Sequence, residues 1–159
     1  MEGVERKVYQ ISPCFLMEYE ELIRRHAQYG GGAEGEKYTG GKTFSNVYEM
    51  YIYAFFLGLH RGIKVEILSE DKTKTFWEIA NWKPKELVDN LLACAIGVSD
   101  LDMNAVECMG GEKVQGEIRK LKRSIEEYAN GGLKYIHEKV ESEPDLIDDD
   151  MFFISLLSE

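Results

Sequence analysis

A chain of 159 residues with 44% hydrophobic residues has material for one domain with a sizeable core. Its 29 acidic against 19 basic residues leave a net charge of −10, which repels a polyanion unless the basic residues gather on one face, so non-specific nucleic-acid binding is disfavoured. Cys14, Cys94 and Cys108 are widely spaced in apolar or helical surroundings, as reduced packing residues are, and form neither a disulfide framework nor a zinc site.

The first eleven residues are mixed, with Val8, Tyr9 and Ile11 read as an extended lead-in. Ser12-Pro13 reads as an N-cap followed by proline at the first helical position, predicting a helix to about Tyr29 with the stripe Phe15, Leu16, Tyr19, Leu22, Ile23 and His26 or Ala27. The run Gly30 to Lys42, GGGAEGEKYTGGK, reads as a loop. Its end, Gly40-Gly41-Lys42-Thr43, has the form of a phosphate-binding loop, but Glu36 stands where that pattern needs glycine and a helix precedes it. A linker with Thr43 as helix cap is the better reading.

Thr43 to Gly58, TFSNVYEMYIYAFFLG, is the segment around which the rest is expected to pack. At about 100° per residue, Phe44, Val47, Tyr48, Tyr51, Ala54, Phe55 and Gly58 make one face while Met50, Tyr53, Phe56 and Leu57 make the reverse face nearly as apolar. A helix apolar on both sides is a central helix. The run is too short for the ~20 residues a bilayer needs, and MEGVERKVYQ lacks the apolar region of a signal peptide, so no membrane association and a cytoplasmic location are expected.

After it, Ile63, Val65 and Ile67 alternate with polar residues as in a strand, Ser69 to Lys72 reads as a turn, and Thr73 to Trp77 as the return strand. This predicts a small hairpin anchored by Phe76, Trp77, Ile79 and Trp82. Pro84 opens a helix from Lys85 to Ile96, striped by Leu87, Val88, Leu91, Leu92, Ala95 and Ile96 and ended by Gly97. Asp100 or Asp102 is expected to cap a short helical piece to Cys108. Glu112 to Val140 is helical by period, with Asn130-Gly131-Gly132 expected to interrupt it as a tight turn. Residues 141–150 are an acidic connector, and Met151 to Leu157 a terminal helix. The predicted fold is mainly α: one domain over residues 1–159, a helical bundle around a buried central helix with a small β-hairpin.

Candidate sites are few. His26, His60 and His137 fall on three helices without partners at ligand spacing; His137 and Glu141 are four apart, but two ligands do not make a metal site. His60 and Arg61, a cationic pair at the end of the central helix, suit its dipole and are the candidate anion-binding residues. Arg119, Lys120, Lys122 and Arg123 are the candidate nucleic-acid-binding cluster, with ion pairs to Glu117, Glu126 and Glu127 as the structural account. Met151, Phe152, Phe153, Leu156 and Leu157 are the candidate partner-binding residues: an acidic lead-in steers a basic partner and an amphipathic helix fills its groove, unless these residues close the chain's own bundle. No catalytic constellation, metal or cofactor is expected, and a non-enzymatic role follows.

Three segments, FSNVYEMYIYAFFLGLHRG, FWEIANWKPKELVDNLLACAIG and SIEEYANGGLKYIHEK, together resemble small accessory proteins encoded beside bacterial DNA phosphorothioation and other phage-defence or restriction systems. The likeness rests on aromatic, glycine and helix-packing positions and transfers no active-site residue. It implies a cytoplasmic helical protein that works beside DNA-processing machinery through protein partners. Direct DNA binding by the basic helical face is the alternative.

Overall fold

Residues 47 to 61 are apolar around most of their circumference, so the helix they form must be covered from more than one side. A computed structural model of the chain describes residues 2–27, 43–99, 101, 111–149 and 151–158. Its elements are α1 (Glu2–Tyr9), β1 (Cys14–Leu16), a 3-10 turn (Met17–Tyr19), α2 (Glu20–His26), α3 (Val47–Arg61), β2 (Thr73–Thr75), a 3-10 turn (Ile79–Asn81), α4 (Lys85–Val98), α5 (Gly111–Ser142), a 3-10 stretch (Pro144–Asp148) and α6 (Phe152–Ser158). The architecture is the mainly helical bundle expected, with α3 at its centre and a two-stranded antiparallel element beside it.

The central helix starts later than Thr43. Asn46 precedes it in extended conformation, and the Ser45 backbone N–H and hydroxyl both donate to the Glu49 carboxylate, at 2.8 and 2.7 Å, which closes the first turn. Gly62, at φ 68°, ends it: its N–H donates to Leu59 and the next, of Ile63, to Gly58, as in a Schellman motif. Met50, Tyr51, Ile52, Ala54, Phe55, Leu57 and Gly58 are buried along its length.

Its main partner is α5, and the two backbones nearly touch. A Cβ placed on Gly132 would lie 1.9 Å from the Ala54 carbonyl oxygen, and one on Gly58 would lie 2.0 Å from that of Tyr128. The Asn130-Gly131-Gly132 triplet therefore does not interrupt the helix, contrary to the sequence expectation; α5 runs unbroken through it. Glycine weakens a helix by roughly 1 kcal/mol relative to alanine, but here a side chain would separate the helices.

The N-terminal expectation is also corrected. Residues 2–9 form a helix, while Ser12-Pro13 leads into strand β1; among the described residues, Glu20–His26 is the α-helical part of the expected first helix. β1 pairs antiparallel with β2, Phe15 opposite Lys74, while on its other edge the Cys14 and Leu16 N–H groups donate to the Glu126 and Asn130 side chains of α5, both at 2.9 Å. Every backbone group of such a buried segment needs a partner, and here distant residues supply them. The return strand of the expected hairpin is therefore present, but its mate is Cys14–Leu16. Residues 63–68 instead run extended along α5, Val65 N–H donating to Glu127 O at 3.0 Å, with Ile63, Val65 and Ile67 half-buried in the predicted alternation.

Of the four expected anchors, Ile79 and Trp82 are buried and Phe76 half-buried, whereas Trp77 is 58% exposed. Trp82 lies parallel to both Phe76 and Tyr48, at 5.6 and 6.2 Å between ring centroids. α4 continues through Gly97 to Val98, burying Val88, Leu91, Leu92 and Ala95, while Leu87 turns to solvent. The Gly30 to Lys42 loop, Cys108, and the piece capped by Asp100 or Asp102 lie outside the described residues. Among the described residues no helix is long and apolar enough to cross a membrane.

Two glycines of α5 give a controlled comparison. Gly132→Ala is expected to destabilise by on the order of 3 kcal/mol or more, because backbone atoms cannot rotate out of the way. Gly116→Ala, with nothing within 4 Å of its new methyl group, is expected to stabilise by up to about 1 kcal/mol. Urea unfolding of both variants checks the pair; equal effects would remove the close-packing account.

Candidate functional site

The surface with the most distinctive chemistry is built where α6 meets the open side of α3. Two side chains of α3 hold α6 by its backbone: Tyr53 donates to Phe153 O at 2.5 Å, and the Arg61 guanidinium donates to Leu156 O at 2.9 Å while lying 4.7 Å above the Tyr135 ring. Burial pushes the Tyr53 phenol well up from its ordinary pKa, so it stays a neutral donor. Of the two candidate anion-binding residues, Arg61 is thus engaged with α6 and the ring of Tyr135, and His60 is exposed.

The candidate partner-binding residues divide. Phe152, Phe153 and Leu156 are buried in the chain's own core, and Phe153 packs edge-on against Phe44, Tyr53 and His26 at 5.1 to 5.5 Å. They are not available to a partner. Met151 and Leu157 remain outside, 53% and 42% exposed, and are joined by Ile154 at 59%. The helical period separates 151, 154 and 157 from 152, 153 and 156, a split that the sequence contained but the composition of the segment concealed.

Beside α6 runs a groove of about 460 Å³. Its floor is one face of α3, Glu49, Ile52, Tyr53 and Phe56; Phe44, Pro84, Leu87 of α4 and Leu157 of α6 complete the lining. Among the described residues Glu49 is the one carboxylate in that lining, and of its two oxygens only Oε2 is taken, by Ser45.

The basic cluster lies elsewhere, on the N-terminal half of α5. Lys120 pairs with Glu117 at 3.1 Å, but Glu127 pairs with Lys64 at 3.7 Å and Glu126 turns to the Cys14 N–H, so the other expected pairs within the helix do not form. Arg119 and Arg123, one turn apart, are exposed and make no ion pair among the described residues; Lys122 is half-buried. His137 stands 4.0 Å from Glu141, and the described residues contain no group of three or more potential metal ligands.

One buried polar cluster belongs to the fold. Asn130 is fully buried; its Nδ2 donates to Glu126 O and Cys14 O at 2.8 and 3.2 Å, and its Oδ1 accepts from Leu16. The neighbouring Cys14 thiol is pushed up to about 12, by burial first and then by Glu126 beside it, which makes it a poor nucleophile.

Compared with known protein families, characterised proteins and solved structures, the chain finds no match.

Arg61 gives a direct check on this arrangement. Arg61→Met is expected to lower stability by about 1–2 kcal/mol, since Leu156 O loses its donor, and to raise amide exchange selectively over residues 152–158. Phosphate should leave the wild-type Tm where chloride of equal ionic strength leaves it. A phosphate-specific rise absent from the variant would restore the anion-site reading.

Proposed function

We propose that this chain is a non-enzymatic accessory protein that acts through protein partners, in the bacterial DNA-modification or phage-defence setting that its sequence resemblance implies. The observation that supports this most directly is the two-sided α6: its inner side is anchored by Phe152, Phe153 and Leu156 while Met151, Ile154 and Leu157 stand exposed. A short helix fixed by core contacts and by bonds from Tyr53 and Arg61 presents an apolar stripe in a set orientation, which reduces the ordering entropy of association.

The test is capture from the native host. Tagged wild-type protein is expected to retain components of DNA-processing machinery, and the Met151→Asp, Ile154→Asp double variant, melting at the same temperature, to lose them. Retention of the same proteins by both, or of none by the wild type, overturns the reading.

Arg119 and Arg123 support a second reading, direct DNA contact. They present two guanidinium groups without an ion pair among the described residues, on one side of α5 in a chain otherwise dominated by acid. If it holds, duplex affinity falls with salt, and the slope of log K against log salt drops by about 2 in the Arg119→Ala, Arg123→Ala variant. No binding at about 100 mM salt removes it.

A further inference from the structure

The groove beside α6 is not accounted for by the exposed stripe alone. Its floor runs from Glu49 to Phe56, about 10 Å at the helical rise, or two turns of an incoming helix. Leu87 and Leu157 stand exposed as its two rims. Among the described residues the lining is otherwise apolar and Glu49 keeps Oε1 without a bond, while the side chains of Phe44, Tyr53 and Phe56 line the same groove.

Building on the accessory role, the geometry points to a specific occupant: a short amphipathic helix of a protein partner that carries a lysine or arginine among its apolar anchors. Apolar side chains at helical spacing fill the floor. The cation meets the Glu49 carboxylate. An acidic residue in that place would face Glu49 uncompensated. Lys83 and Lys85 flank Pro84 in sequence but are not part of the lining, and Lys85 is held by Asp89 at 3.1 Å. A second copy of this chain is a poorer occupant, because each copy brings a net charge of −10.

The probe is a displayed library of random 14-residue peptides, selected on the whole chain with counter-selection on Leu157→Glu, a change at an exposed rim whose folding is checked by its melt. Enriched peptides are expected to share apolar residues at i, i+3 or i+4 and i+7 with one basic residue between them. Synthesised, they should bind Leu157→Glu about tenfold more weakly or worse. Glu49→Gln, which keeps an acceptor for Ser45, should weaken them about fivefold, and replacing the peptide's basic residue by methionine should abolish that sensitivity. A carboxylate serving only as a helix cap would show no such coupling.

Failure to enrich any peptide against the counter-target, enriched peptides without a basic residue, or a concentration-dependent dimer that Leu157→Glu dissolves would each overturn the proposal. Host capture that survives Leu157→Glu but not the Met151 and Ile154 changes would overturn the groove and leave the accessory role standing. Peptides that bind here while the wild type captures no host protein would do the reverse.

Discussion

The close approach of α3 to α5 is the constraint on which the rest of the molecule depends. Gly58 on one helix and Gly132 on the other remove the side chains that would hold the axes apart, and Gly131 does the same against the backbone of Ile63. With one side of α3 committed to that backbone contact, where Phe55 also packs against Tyr128 of α5, its other aromatic residues are directed elsewhere: Tyr51 against Phe76 and Trp82, Tyr53 against Phe153. That last direction leads to the face that α4 and α6 cover only in part. The groove lies on that face.

α5 carries a second constraint, in polar groups. Strand β1 is buried along its whole length and shares only one edge with β2, so its other edge needs donors and acceptors from the helix. Glu126 and Asn130, one turn apart, supply them, and Tyr51 adds a 2.9 Å bond to Cys14 O. Leaving one such group unmet costs about 1–3 kcal/mol, comparable to burying an aliphatic side chain. Asn130 therefore ties the strand to α5 at both Cys14 and Leu16.

These two constraints explain what the sequence revealed and what it did not. Periodicity located α3, α4, α5 and the terminal helix, because each buries a stripe set by its own spacing. It misread Asn130-Gly131-Gly132 as a break, since glycine pairs punctuate local structure and only the facing helix shows that these serve packing. Ser12-Pro13 carried a valid helix-start signal, overridden by pairing to residues some sixty positions away in sequence. The strand alternation of Ile63 to Ile67 was legible, but alternation reports a half-buried segment and not what covers it. At the candidate site, the apolar composition of α6 was visible from the start. Its helical period divides the segment into two sides, but which side meets the core depends on partners such as Tyr53 and Arg61, about a hundred residues earlier.

The two proposed kinds of contact differ in what each can support alone. If they meet DNA, Arg119 and Arg123 make two phosphate contacts, and the counterions released by two contacts give only a shallow salt dependence and weak affinity, opposed here by a net charge of −10. An apolar groove with one carboxylate gains from burial, which salt does not screen, and its selectivity for a cation within a helix is local. If a partner docked at the groove also holds DNA, tethering raises the effective concentration of phosphate at α5, and two arginines then suffice to add a contact they could not establish unaided. In that order of events the protein partner comes first and the arginines report on what it carries, so their replacement should alter the DNA-bound assembly while leaving the pairwise protein contact unchanged.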